Sequence, residues 1–93
     1  MTSQNKKDLK LIIDYYGKAS QLTMCIEEMS ELTKELCKCH RGMYHRNTVI
    51  EEVADVLVTL EQVKLMFGFT DSELNHIVDS KIQRTLKRMG EDK

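Results

Sequence analysis

The chain contains no proline and only four glycines in 93 residues. Proline ends helices because it lacks an amide donor and clashes with the preceding turn, and glycine weakens them through backbone entropy. With so few breaks, long stretches can stay helical. Within them apolar residues recur every three or four positions, the period of one helix face. Leu9, Ile12, Ile13 and Tyr16 predict a helix over residues 6–16, after a frayed start, with a break at Gly17. Leu22, Cys25, Ile26, Met29, Leu32 and Leu36 predict a second over 18–39. Residues 41–47 are of mixed polarity, contain Gly42 and read as a loop. Thr48 and Glu51 have the spacing of a capping box. Val49, Val53, Val56, Leu57, Leu60, Val63 and Phe67 then form the stripe of a third helix that ends at Gly68. Thr70 and Glu73 make a second capping box, and Leu74, Ile77, Val78, Ile82, Leu86 and Met89 mark a fourth helix running to Met89, before Gly90. No useful stretch alternates with the period of a strand. The expected fold is all-α: four helices in one domain spanning 1–93, with an antiparallel central pair.

A chain this short buries a thin core. Its 41% apolar and 31% charged content fits amphipathic helices that need a partner chain. The net charge of −1 gives no electrostatic basis for binding nucleic acid or an anionic membrane. No apolar run approaches the roughly 18–20 residues of a membrane span. The polar, charged N-terminus does not read as a secretory signal. Cys25, Cys37 and Cys39 are odd in number, which argues for a reducing, cytoplasmic setting.

Two acidic clusters stand inside the central helices: Glu27-Glu28-Met29-Ser30-Glu31 and Glu51-Glu52-Val53-Ala54-Asp55. Each holds a pair of carboxylates three residues apart, Glu28 with Glu31 and Glu52 with Asp55, and such residues are neighbours on a helix face. At about 100° per residue, the acids lie on the same rotational side of the apolar stripe in both helices. Antiparallel helices packed by their stripes are related by an approximate two-fold axis, so both pairs should emerge along one edge. Four carboxylates there suit a hard divalent cation. The competing reading is a solvated surface, with Glu31–Lys34 and Glu35–Lys38 as local ion pairs. However, Glu28, Glu52 and Asp55 have no basic residue three or four positions away. Two other metal readings are weaker. Cys37, Cys39, His40 and His45 could hold zinc only if the second helix stopped before Cys37, because residues two apart on a helix point nearly opposite ways. Glu73 and His76 form the ExxH of di-iron bundles, but Glu73 belongs to a capping box.

EExxE (Glu27, Glu28, Glu31) followed by ExxD (Glu52, Asp55) resembles the MazG-like, all-α nucleoside triphosphate pyrophosphohydrolases. Gly17 to Gln21, Leu32 and Asp55-Val56-Leu57 extend the likeness, which covers about residues 15 to 89. The resemblance implies that Glu28, Glu31, Glu52 and Asp55 bind Mg²⁺, with Mn²⁺ as a substitute. It implies hydrolysis of a nucleoside triphosphate to the monophosphate and pyrophosphate, by a homodimer or dimer of dimers. Either Glu31 or Glu27 would serve as general base. Lys81, Arg84 and Arg88 share one face of the fourth helix and are similar to the family's late basic cluster, with Lys81 the best match. Lys38 and Arg41 are further basic candidates, and Gln21 looks like a position near substrate. The alternative is a non-catalytic helical module of the same fold that binds a nucleotide or a protein.

Overall fold

The computed structural model describes residues 1–92. Four helices follow one another: α1 (Ser3–Tyr16), α2 (Lys18–His40), α3 (Arg46–Phe67) and α4 (Asp71–Glu91). There is no strand among the described residues.

The helix ends differ from expectation at three places. The N-terminus is ordered from Ser3, because Thr2 caps α1 in a reciprocal box with Asn5, each backbone N–H donating to the other's side chain at 3.0 Å. Asn stands here where the usual pattern has Glu or Gln. The box expected at Thr48 does not form. Helix α3 starts at Arg46 after an extended His45, with no side-chain cap. Nothing in Arg46-Asn47 opposes helix, and the earlier start lets the Val49 N–H donate to His45 O at 3.1 Å. Glu51 is therefore an exposed helical residue. At the other end, α4 continues through Gly90 to Glu91. The Thr70–Glu73 box does form, with the Glu73 N–H donating to the Thr70 hydroxyl at 3.1 Å. Gly68 closes α3 in the left-handed conformation, its N–H bonded to Lys64 O.

Helices α2 and α3 form the central pair. Glu28 lies against Asp55, while Glu52 feels Glu31 and Glu35. Residue numbers rise along one helix as they fall along the other, so the pair is antiparallel. The packed faces coincide with the apolar stripes only in part. Inward positions on α2 are Gln21, Cys25, Glu28, Leu32 and Glu35, and on α3 Glu52, Val56, Thr59 and Gln62. At 100° per residue, both faces are turned roughly 70–80° from the stripes toward the acids. Ile26, Met29 and Leu36 on α2, with Val53, Leu57 and Leu60 on α3, are left 39–63% exposed. The acids therefore do not border the helix pair along an edge; Glu28 and Glu52 sit half-buried in its seam. The apolar stripes remain free for another surface.

Helix α1 lies against both α2 and α3 and brings Leu9 and Ile13 into the core with Cys25 and Val56. Gly17 alone separates α1 from α2, at φ 92°, a conformation that L-residues avoid. Helix α4 buries none of its residues and packs along none of the other three helices. Its base is held by ion pairs. The Lys64 ammonium is buried, donating to both Glu61 oxygens at 2.9 Å and to Asp71. Lys6 of α1 reaches Asp71 at 3.3 Å and Glu61 at 3.9 Å. Hydrogen bonds to Asp71 and Glu61 raise the Lys64 pKa. Hydrogen bonds from Lys64 and Lys6 lower that of Asp71.

Candidate metal centre

Carboxylate oxygens of Glu28, Glu52 and Asp55 lie within 4.8 Å of one another. Helix α2 supplies the first and α3 the other two, and the antiparallel register brings them level. Among the described residues no other set of three His, Cys, Asp or Glu side chains converges so closely. Among the described residues none of the three forms an ion pair. One Glu52 oxygen, Oε2, is buried without a hydrogen-bond partner among the described residues.

The electrostatics follow from that crowding. Burial raises the Glu28 pKa, and repulsion by Asp55 and a hydrogen bond of its protonated form to Asp55 raise it further. Burial also raises the Glu52 pKa, with Asp55, Glu31, Glu35 and Glu51 adding repulsion in turn. A group of carboxylates that resists ionisation, with an orphan oxygen among them, is what a divalent cation would relieve. Two oxygens on opposite sides of one Mg²⁺ stand about 4.2 Å apart, and around Ca²⁺ somewhat more. Adjacent oxygens on one Mg²⁺ stand about 3 Å apart, so the three must draw together around a shared ion by side-chain rotation. The donor set fits a hard cation: all oxygen, all acidic.

The other sequence candidates fall out unevenly. Glu31 is exposed and outside the group of three, though near enough to repel Glu28 and Glu52. Glu27 is exposed and takes no part in it. Glu35 is buried at 6% exposure, where a solvated ion pair was the expectation; its partner Lys38 stands 3.8 Å away. The signal was the seven-residue interval from Glu28, which places both on one face. Lys38 is thus tied to the acidic seam through Glu35. Arg41 is the C-cap residue of α2. Lys81, Arg84 and Arg88 are exposed on α4, which this chain does not bring against the acids. Helix α2 stays regular through His40, so Cys37 and Cys39 diverge. Glu73 is engaged by Thr70, and His76 is exposed.

Beside the acidic group opens a cleft of about 180 Å³. Glu28 and Asp55 belong to both. Ile12, Met24 and Val58 line its more open parts, and the buried Gln21, Thr59 and Gln62 its depth. The Thr59 hydroxyl donates to Val56 O at 2.9 Å. Gln62 is 2% exposed and its Oε1 has no hydrogen-bond partner among the described residues, an arrangement that costs about 1–3 kcal/mol if nothing ever meets it. Gln62 had no place among the sequence candidates, because a polar residue beside an apolar stripe reads as surface.

No protein-family profile, no curated protein and no solved structure matches the chain. No helix among the described residues is long and apolar enough to cross a membrane.

Proposed function

We propose that this chain is a MazG-like, Mg²⁺-dependent hydrolase that cleaves a nucleoside triphosphate to the monophosphate and pyrophosphate. The observation that carries the reading is the convergence of Glu28, Glu52 and Asp55, from the EExxE and ExxD segments, with a buried oxygen of Glu52 left unpartnered. These three, with Glu31 next to them, would hold Mg²⁺ or Mn²⁺. When bound, the ion supplies positive charge against the triphosphate and acidifies water. The chain's own residues do the rest. Glu31, exposed beside the group, is better placed than Glu27 to accept the proton of the attacking water. The water oxygen forms a bond to the α-phosphorus as the bridging P–O bond breaks, and pyrophosphate leaves. Without a cation the carboxylates repel the triphosphate, so they also make binding metal-dependent.

The working unit is a homodimer or a dimer of dimers. The support is apolar surface that a single chain leaves open: Ile26 and Met29 on α2, Leu57 and Leu60 on α3, and the whole stripe of α4. An apolar notch of about 300 Å³ lies where α3 meets α4, lined by Leu57, Leu60, Val63, Phe69 and Leu74. Burying such faces against a second copy stabilises by about 25 cal/mol per Å². The basic residues Lys81, Arg84 and Arg88 would then meet phosphates only across chains. The test is pyrophosphate release from a panel of ribo- and deoxyribonucleoside triphosphates with Mg²⁺. Metal-dependent release from at least one is expected. No release from any, with the helical content intact, would leave the non-catalytic module as the better reading.

A further inference from the structure

We propose that the Lys64–Asp71 contact is a salt-sensitive latch that fixes the direction of α4 and, when it opens, releases the helix with its basic residues Lys81, Arg84 and Arg88. The inference does not depend on the nucleotide reading. Helix α4 buries none of its residues and packs along none of the other helices, so buried area does not set its direction. It joins α3 through Gly68, Phe69 and Thr70, with Gly68 at φ 70°. Leu74 reaches the apolar notch against α3 but stays 39% exposed. Among the described residues, Asp71 is the one α4 side chain with an ion pair or hydrogen bond to another helix: it meets Lys64 of α3 and Lys6 of α1. The two acceptors of the buried Lys64 ammonium are unequal. Glu61 has a side chain 14% exposed and accepts through both oxygens at 2.9 Å, whereas that of Asp71 is 57% exposed. Salt screens an exposed partner far more than a buried one, so Asp71 is the group that leaves. Removing the partner of a buried charge is normally costly because it strands that charge. Here Glu61 still holds Lys64, and Lys6 lies 3.9 Å from the same carboxylate, so the opened latch leaves no lone charge inside. The helix survives opening as well, because the Thr70–Glu73 box caps it from its own first turn.

The test reads distances within the full chain by double electron–electron resonance. Nitroxides are carried on non-natural amino acids that replace Lys34 of α2 and Lys87 of α4, both exposed, so the cysteines stay untouched. Labelled chain is diluted in excess unlabelled chain, so that only distances within one chain are read. Wild type is expected to give one narrow distance at about 0.05 M salt and a distribution about twofold broader at about 1 M, where the Debye length falls to about 3 Å. Asp71→Asn is expected to show the broad distribution at both, with helical content by circular dichroism unchanged. Lys64→Met should match it, and the double variant should be no broader than either single one, because one contact can be lost only once. A wild-type distribution that salt does not change overturns the proposal without any variant. So does the narrow wild-type distance in Asp71→Asn, or additive broadening in the double variant. Loss of the α4 helix in Asp71→Asn overturns it too, since the contact would then hold the helix together rather than aim it.

Discussion

Divalent metal should raise the melting temperature of this protein, and Glu52→Gln should remove most of the rise. The three carboxylates already converge to within 4.8 Å of one another in the folded chain. An ion can therefore bind the folded chain through side-chain rotation. The unfolded chain separates Glu28 from Asp55 along the sequence and offers no such group. Binding to the native state alone stabilises by about 2.7 kcal/mol when the ion is at a hundred times its Kd. For a domain of this size each kcal/mol moves Tm by about 4–8 °C. The expected rise is thus about 10–20 °C, measured by differential scanning calorimetry with Mg²⁺ or Mn²⁺ against chelator. Protons compete for the same oxygens, so the rise should grow from about pH 5 to pH 8. In Glu52→Gln the metal shift should shrink to a few degrees and turnover should disappear. Metal-free Glu52→Gln should melt at or above wild type, because it loses a repelled carboxylate whose Oε2 has no partner. A wild type insensitive to both ions would refute the metal centre. A variant that keeps the full shift would refute the role of Glu52, and a sharp destabilisation without metal would make that residue structural.

Without metal, stability should fall as pH rises above the ordinary glutamate range of about 4.5. Glu28 and Glu52 have raised pKa values, so the folded state holds more protons than the unfolded one and loses stability as these titrate; urea melts at pH 5 and pH 7 in chelator read the difference. Asp71 acts in the opposite sense, its lowered pKa giving stability that is lost only as pH falls below about 3.8. Leu57→Lys, at a position 55% exposed in one chain, should change monomer stability by less than about 0.5 kcal/mol yet shift sedimentation toward the 10.8 kDa monomer; an unchanged mass would place the subunit contact elsewhere. Thr70→Ala removes the cap of a helix with no packed face and should cost about 1 kcal/mol, visible as faster amide exchange in the first turn of α4.

Periodicity was enough to locate the helices, because no proline and few glycines leave little else for the chain to do. Gly68 and the Thr70–Glu73 box behave as local rules require. Thr48 shows the limit of such rules: its cap signal is intact, but extending α3 by three residues satisfies another backbone donor. The acidic triad was legible because Glu28, Glu52 and Asp55 lack local counter-charges. The rotation of the α2–α3 seam was not. Apolar pattern marks the faces that will be buried, without saying whether the same chain or another buries them. That ambiguity hid Glu35, Thr59 and Gln62, whose burial follows from the rotated seam.

Gly17 has a mechanical consequence. With one residue between α1 and α2, the placement of α1 depends on a single pair of torsion angles, with no loop to absorb error. Ile12 stands about 7.5 Å along the helix from that pivot at 1.5 Å per residue. A turn of about 10° at Gly17 would carry it about 1 Å, and Ile12 lines the cleft. At φ 92° an L-residue would be strained even though a β-carbon would meet nothing within 4 Å. Substitution there acts at a distance, through leverage: it resets the width of the cleft from outside it, while the ties of Lys6 to Asp71 and Glu61 hold the far end of the lever.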